Sequence, residues 1–413
     1  MFNILNNIKI TSSVSAIQII NNNIYVLGSN YLLNIFKRDD FSTIDNMPLF
    51  ENANHRHIYD KSYAISNNID IYISQSENYN GHIFSKEGIK LTKEDSLDFH
   101  DNSVSVSKFS NDSTLIAIGD EDGKVFFYRS DIDQLLFSLP PMADAISSIS
   151  FSDDDKFTAI ASYDKSINIY SMTANKKIST TAISDVVEDM LFLDNGQKLI
   201  GVTRDKKIFS YDVLTDEISY GDFEFSEWPT TIKRVGKDSL IVGSRGQNLY
   251  LIKTNSLEIL KEIELPNTGV KTLFIHKNYL YVGYVDGNID TIDTQYKLQE
   301  FEINLNINKF EEASSLLEKN IFLLIETIAD KYDMEWENIL NQAKILLSEH
   351  KNDEALALVE PFFFDKKKEK AYNFLNANKN NFIHFNKLIQ EDKVMIALMF
   401  ADIHEYLKDT AEY

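Results

Sequence analysis

Over roughly the first three hundred residues, apolar β-rich runs alternate with short polar clusters, and the alternation repeats. Each unit carries an apolar run, a small polar turn, and a second apolar run that closes on an aromatic residue or Ile. The closing positions are Phe36, Phe84, Tyr128, Tyr170, Tyr211, Ile252 and Ile292, spaced 48, 44, 42, 41, 41 and 40 residues apart. That approaches the period of about 40–45 residues expected of four-stranded propeller blades. Within 103–140 four strands follow in series: Val104–Phe109, Thr114–Gly119, Lys124–Tyr128 and Gln134–Leu139. The segments between them, such as Asn111-Asp112-Ser113 and Asp120-Glu-Asp-Gly123, are rich in residues that tolerate turn geometry. The inner strands are mostly apolar, as strands covered on both faces should be.

Beyond residue 304 the hydrophobic period changes from two to 3.6. Asn308 with Glu311 three residues on resembles a capping box and predicts a helix start. The run Ile321–Ile325, continuing to Ile328, predicts a helix apolar on nearly every side. Trp336, Ile339, Leu340, Ala343, Leu346 and Leu347 form the stripe of a further helix. A partner helix runs from Asp353 to Glu360 and stops at Pro361. Three more helices are expected near Lys367–Ala377, Asn381–Ile389 and Lys393–Lys408. The last of these carries Val394, Ile396, Met399, Phe400, Ile403 and Leu407 on one face. The pattern therefore predicts an all-β seven-bladed propeller over residues 1–304 and an α-helical, hairpin- or solenoid-like domain over 305–413.

The repeats resemble the WD40 family, whose units end in Ser-x-Asp-x-x-[Ile/Val]-x-x-Trp-Asp or a relative of it. The corresponding stretches are Gly119-Asp-Glu-Asp-Gly-Lys-Val-Phe-Phe-Tyr128, Ser162-Tyr-Asp-Lys-Ser-Ile-Asn-Ile-Tyr170 and Thr203-Arg-Asp-Lys-Lys-Ile-Phe-Ser-Tyr-Asp212. His100-Asp101 stands where that family carries Gly-His. Tyr, Phe or Ile replaces Trp in every unit, and the first two units match poorly. The pair Trp336–His350 and Asp353–Glu360 is similar to one tetratricopeptide-type hairpin, with small Ala343 and Ala355 at the close approach. Such resemblance implies fold and leaves the job open. Ring closure has two candidates: Ile8-Lys9-Ile10 as the last blade's outer strand, which is favoured, or Leu298–Ile303.

Net charge is −22, with acids spread along the chain. Residues 305–413 hold 13 Lys against 20 Asp plus Glu, leaving −15 on the remainder. Phosphate backbones are repelled by such a chain unless a dense basic patch intervenes. The one dense run, Lys366-Lys367-Lys368, is diluted by Asp365 and Glu369, so nucleic acid is not expected as a ligand. Cysteine is absent, which removes disulfides, thiolate zinc sites and cysteine nucleophiles. No signal peptide is visible at the N-terminus. The longest late apolar run, Val394–Phe400, is far shorter than the ~20 residues a membrane helix needs. A cytoplasmic protein without a transmembrane segment is the expectation. The lack of a polar cap before Tyr413 fits a helical array that continues.

Candidate chemistry is sparse. Asp120-Glu-Asp-Gly123 and Asp286-Gly-Asn-Ile-Asp290 lack the ligand spacing and flanking helices of a calcium loop. Asp122, Asp164, Asp205 and Asp286 are expected instead to anchor hairpin turns. His55 and His57, with Asp60, have strand spacing suited to a metal, but no third ligand is near. There is no Gly-x-Ser-x-Gly and no phosphate-binding Gly loop. No catalytic residue, cofactor or metal is assigned, and an enzyme is not expected. Trp228, Phe362, Phe363 and Phe364 are candidate partner contacts, the three Phe alternatively packing between helix pairs. The expected function is a non-catalytic protein-interaction scaffold, using the propeller rim and a helical groove, with at least one basic partner. Its rival is a propeller with a small-ligand or enzymatic site over the central channel.

Overall fold

The computed structural model describes residues 3–50, 59, 61–74, 81–87, 90–97, 100–130 and 134–409. The chain divides into two compact units, Ile4–Thr294 and one containing the residues from Gln295 on. The first is a seven-bladed β-propeller of seven four-stranded antiparallel sheets. The first strands of the blades are Val14–Ile20, Tyr63–Ile65, Val104–Phe109, Ile146–Phe151, Val187–Leu193, Pro229–Val235 and Val270–His276. Each is packed beside the first strand of the next blade, the seventh beside the first, so these strands form the inner ring.

Burial follows the strand order. Inner strands such as Ile146–Phe151 are buried throughout, because neighbouring blades cover both faces. Outer strands such as Gln134–Leu139 alternate, one face on the blade and one on water. The seven repeated positions, Phe36 through Ile292, all lie on third strands and are buried. At Phe36, Tyr128, Tyr170 and Ile252 the pairing of third with fourth strand shifts register, so the aromatic or Ile marks a bend that twists the outer strand.

Closure comes from the N-terminus. Ile4–Lys9 pairs antiparallel with Asn288–Asp293 and completes the seventh blade, with Ile8 opposite Ile289. This removes a free sheet edge. Asp290 is buried and accepts hydrogen bonds from Asn7 Nδ2 (2.7 Å), Tyr284 Oη (2.7 Å) and Asn267 Nδ2 (3.3 Å), tying the closing strand to its blade. Gly287 has φ +86°, and a Cβ there would lie 2.5 Å from the carbonyl oxygens of Ile10 and Ser12. Only glycine lets the incoming segment pass so close. Leu298–Ile303, the other candidate for closure, is helical.

Among the described residues the second unit has six helices: α1 (Leu298–Asn306), α2 (Phe310–Lys319), α3 (Ala329–Ser348), α4 (Asn352–Val359), α5 (Lys366–Gln390) and α6 (Val394–Ile403). Three expectations are corrected. Asn308 is no helix cap: it adopts φ +60° in the link between α1 and α2, where a short polar side chain tolerates left-handed backbone. Ile321–Ile325 is a 3₁₀ turn rather than a helix, its start held by the Asn320 side chain accepting from the Phe322 N–H at 3.2 Å. The two helices expected within 367–389 are one continuous α5. No Gly or Pro interrupts that stretch, and Asn378 bonds back to the Phe374 carbonyl (2.9 Å) without breaking the helix.

Ala343, Ala355, Val359, Trp336 and Phe362 share the core of this unit. The small alanines permit close helix approach, and the aromatics fill the space beside them. Lys368, from the basic run, is buried, with its ammonium 2.5 Å from Asp333 Oδ1 and over the rings of Tyr332 and Trp336. It is thus withdrawn from any basic surface. Among the described residues no helix is long and apolar enough to cross a membrane.

Candidate functional site

The inner ring encloses a channel of about 920 Å³, and one repeated hydrogen bond decides what stands at its mouth. After the second strand of a blade, the first turn residue donates its N–H to a carbonyl just ahead of that blade's first strand. The pairs are Glu121 to Ser103 (3.0 Å), Tyr163 to Ala145 (2.9 Å), Arg204 to Val186 (3.0 Å), Arg245 to Trp228 (2.7 Å) and Val285 to Gly269 (2.9 Å). Equivalent positions in consecutive blades therefore bring Tyr163, Arg204 and Arg245 to one level of the ring.

Trp228, just ahead of the sixth blade's first strand, is within reach of both arginines. Their guanidinium carbons lie 5.3 Å (Arg204) and 4.6 Å (Arg245) from its ring centroid, within cation–π range. Arg204 also stacks on Tyr163 (4.5 Å) and donates to its hydroxyl (2.6 Å). The half-buried Trp228 indole thus meets two cations, and its Nε1–H is buried without a hydrogen-bond partner among the described residues.

Just inside the mouth, among the described residues, six first strands bulge by one residue: Ser15, Ser105, Ser147, Glu188, Thr230 and Lys271 are the extra positions. A bulge re-aims a side chain and strengthens local twist. Ser105 Oγ donates to the Ile146 carbonyl and Thr230 Oγ1 to the Val270 carbonyl, both at 2.7 Å, joining adjacent blades. Glu188 meets Arg204 Nε at 2.5 Å and Lys61 Nζ at 3.7 Å. Lys61 also donates to the Glu188 carbonyl.

Deeper in the channel, Asp189 accepts from Thr231 Oγ1 (3.1 Å) and the Ile232 N–H (3.0 Å), with Lys233 Nζ at 3.9 Å. Burial pushes the Asp189 carboxyl up, but Lys233, Lys61, the Ile232 N–H and Lys108 together outweigh it, and the net direction is down. The neighbouring Lys233 ammonium, then burial, push Lys108 down to about 8 against the pull of Asp189. Lys108 has a water-accessible side chain, yet protein surrounds it on the channel wall. Among the described residues lining the channel, seven cations (Lys61, Lys108, Arg204, Lys233, Arg234, Arg245 and Lys271) face two carboxylates, Glu188 and Asp189.

The aspartates singled out from the turns hold different places. Asp164 Oδ1 accepts from the N–H (2.8 Å) and hydroxyl (2.6 Å) of Ser166. Asp205 accepts from Thr203 Oγ1 (2.6 Å) and pairs with Lys207 (2.9 Å). Asp286 accepts from the Asn288 N–H (3.0 Å). In the third blade the main acceptor is Asp120 rather than Asp122. Asp120 is fully buried, takes the N–H groups of Asp122 (3.0 Å) and Lys124 (2.9 Å), and meets His100 Nδ1 at 2.9 Å. Asp122 meets Asn102 Nδ2 (3.2 Å) and Lys124 (3.6 Å) at the surface. The signal was present in His100, whose imidazole needs a buried acceptor.

Phe362 is fully buried against Tyr332 (4.9 Å between centroids) and Trp336 (5.3 Å), so it is a core residue and offers a partner no surface. Phe363 and Phe364 pack partly buried on the same core. His55, His57 and Asp60 lie outside the described residues. Among the described residues no group of three His, Asp or Glu side chains gathers to hold a metal.

Residues 107–195, from the third blade's first strand to the turn after the fifth's, match the family model of the anaphase-promoting complex subunit 4 WD40 domain. The chain is a WD40-like β-propeller protein with a helical C-terminal region. No curated protein matches it. WD40 propellers generally mediate protein–protein interaction and are typically non-enzymatic.

Proposed function

We propose that this WD40-like protein is a non-catalytic scaffold that holds one partner on the propeller and another on the helical region. The observation that carries the reading is α6. Its buried side consists of Ala397 and Ala401, while Met395 (72 % exposed), Met399 (66 %) and Ile403 (76 %) stand in water beside exposed Val394 and Ile396. A contiguous apolar face of this kind marks an interaction surface, and an apolar helix or groove of a partner protein is its natural complement. The helical hairpin of α3 and α4 supports a tetratricopeptide-type reading of the unit that presents it. The matched family model describes a subunit of a complex, in keeping with an assembly role.

The net charge of −22 favours a basic partner on the outer surface and makes its association salt-sensitive. The contacts of Asp164, Asp205 and Asp286 suit them to fixing the turns of a rigid rim. The test is affinity capture with the full chain and with a Met395→Glu, Met399→Glu, Ile403→Glu variant, at low and high salt. Loss of one set of proteins from the variant, with another set retained, is the expected result. Capture of nothing by either chain, or identical capture by both, overturns the two-sided scaffold.

A further inference from the structure

The channel's charge runs against that of the chain around it. Its lining carries an excess of cations while the whole protein stands at −22. Inside, Glu188 is occupied by Arg204 and Lys61, and Asp189 by Thr231, the Ile232 N–H and Lys233. Lys108 and Arg245 have no carboxylate in contact among the described residues. The repulsion between Lys108 and Lys233 costs stability, and an anion placed in the channel relieves it.

We propose that the channel is a binding site for a compact polyanion with clustered phosphoryl groups, held by Arg245 at the mouth and by Lys108 and Lys233 within. A single carboxylate would leave most of the lining charge unmatched. A phosphoryl group brings about −1.5 to −2 in a small volume, so two or three balance the excess. The channel's size lies within the ~300–1,000 Å³ usual for small-ligand sites. Low-dielectric walls lined by one sign of charge concentrate such a ligand. Arginine offers the forked donors that match phosphoryl oxygens, and lysine adds point charge beneath. A long nucleic-acid backbone is disfavoured because it would have to run across the acidic exterior as well.

The test is titration calorimetry of the full chain at pH 7 with tripolyphosphate, against sulfate at matched ionic strength. Saturable binding is expected, weakened about tenfold or more in Lys108→Gln and in Arg245→Gln. Arg245→Lys, which keeps the charge, retains more affinity than Arg245→Gln, and Lys176→Gln on an outer strand leaves binding unchanged. Thermal unfolding of each variant confirms that it is folded. A second arm uses a peptide with two phosphoserines and its unphosphorylated form. Tighter binding of the phosphopeptide than of tripolyphosphate names a phosphorylated protein segment as the source; the reverse names a free polyphosphate compound. Absence of binding to either probe, or equal affinity for sulfate, or an undiminished affinity in the folded Lys108→Gln and Arg245→Gln variants, overturns the proposal.

Discussion

The propeller and the helical region solve the same problem, burying apolar surface, by opposite means. In the propeller each blade repeats one plan, and equivalent residues meet equivalent neighbours: Tyr128, Tyr170 and Tyr211 are all buried on third strands. In the helical region each contact is individual, as where Phe362 fills the gap beside Tyr332 and Trp336 or Lys368 turns inward to Asp333. Repetition leaves the propeller with a closed ring whose variable features are the turn and bulge residues. The helical region instead leaves much of the apolar surface of α6 uncovered. The lesson is that the ring's shared geometry makes departures conspicuous, and Arg204, Arg245 and Glu188 are departures at positions held elsewhere by Val285 or Ser147.

The sharpest way to break the comparison is to remove the strand that closes the ring. Deleting residues 1–9 exposes the edge of Asn288–Asp293 and should abolish cooperative unfolding of the propeller, read by calorimetry; an unchanged transition would show that closure is dispensable. Next come the two kinds of core. Tyr211→Ala and Phe362→Ala should each cost about 3–5 kcal/mol in urea denaturation, since both delete a buried aromatic. A loss under 1 kcal/mol at either would mean that site collapses to fill the space. Asp290→Ala should cost about 2–4 kcal/mol, because it strands the Tyr284 hydroxyl in the interior and unties Asn7 on the closing strand.

A smaller effect tests the channel. Lys108 sits at about 8 in the folded protein, below the ordinary 10.5. Between those values the unfolded chain binds more protons, so stability rises with pH across that window and the full cost of the charge is present below pH 8. Lys108→Gln should therefore raise Tm at pH 7, with the gain fading as pH approaches 10.5; a gain that persists there would point to packing instead of charge. The smallest effect is on α6. Met395→Glu with Met399→Glu should change stability by no more than about 0.5 kcal/mol, since both side chains already face water. A large loss would mean that the face is buried in solution.

The sequence by itself determined the propeller, because a two-residue alternation repeated at a near-constant spacing has few other three-dimensional solutions. It also supplied both candidates for closure and the helical character of the tail. The charge of the channel was hidden from it: Lys61, Lys108, Arg204, Lys233 and Arg245 are scattered over four different blades and share no motif. Only ring closure makes them neighbours, through the repeated turn hydrogen bonds and bulges that set each side chain at its level. Helix boundaries escaped for a related reason. Whether Ile321–Ile325 coils as 3₁₀, or α5 runs unbroken past Asn378, is decided by tertiary packing that outweighs the weak local preferences of Ile and Asn. Local periodicity fixes what a segment can be, and the closing of the ring and the packing of the helices decide which charges and which apolar faces are left for a ligand or a partner.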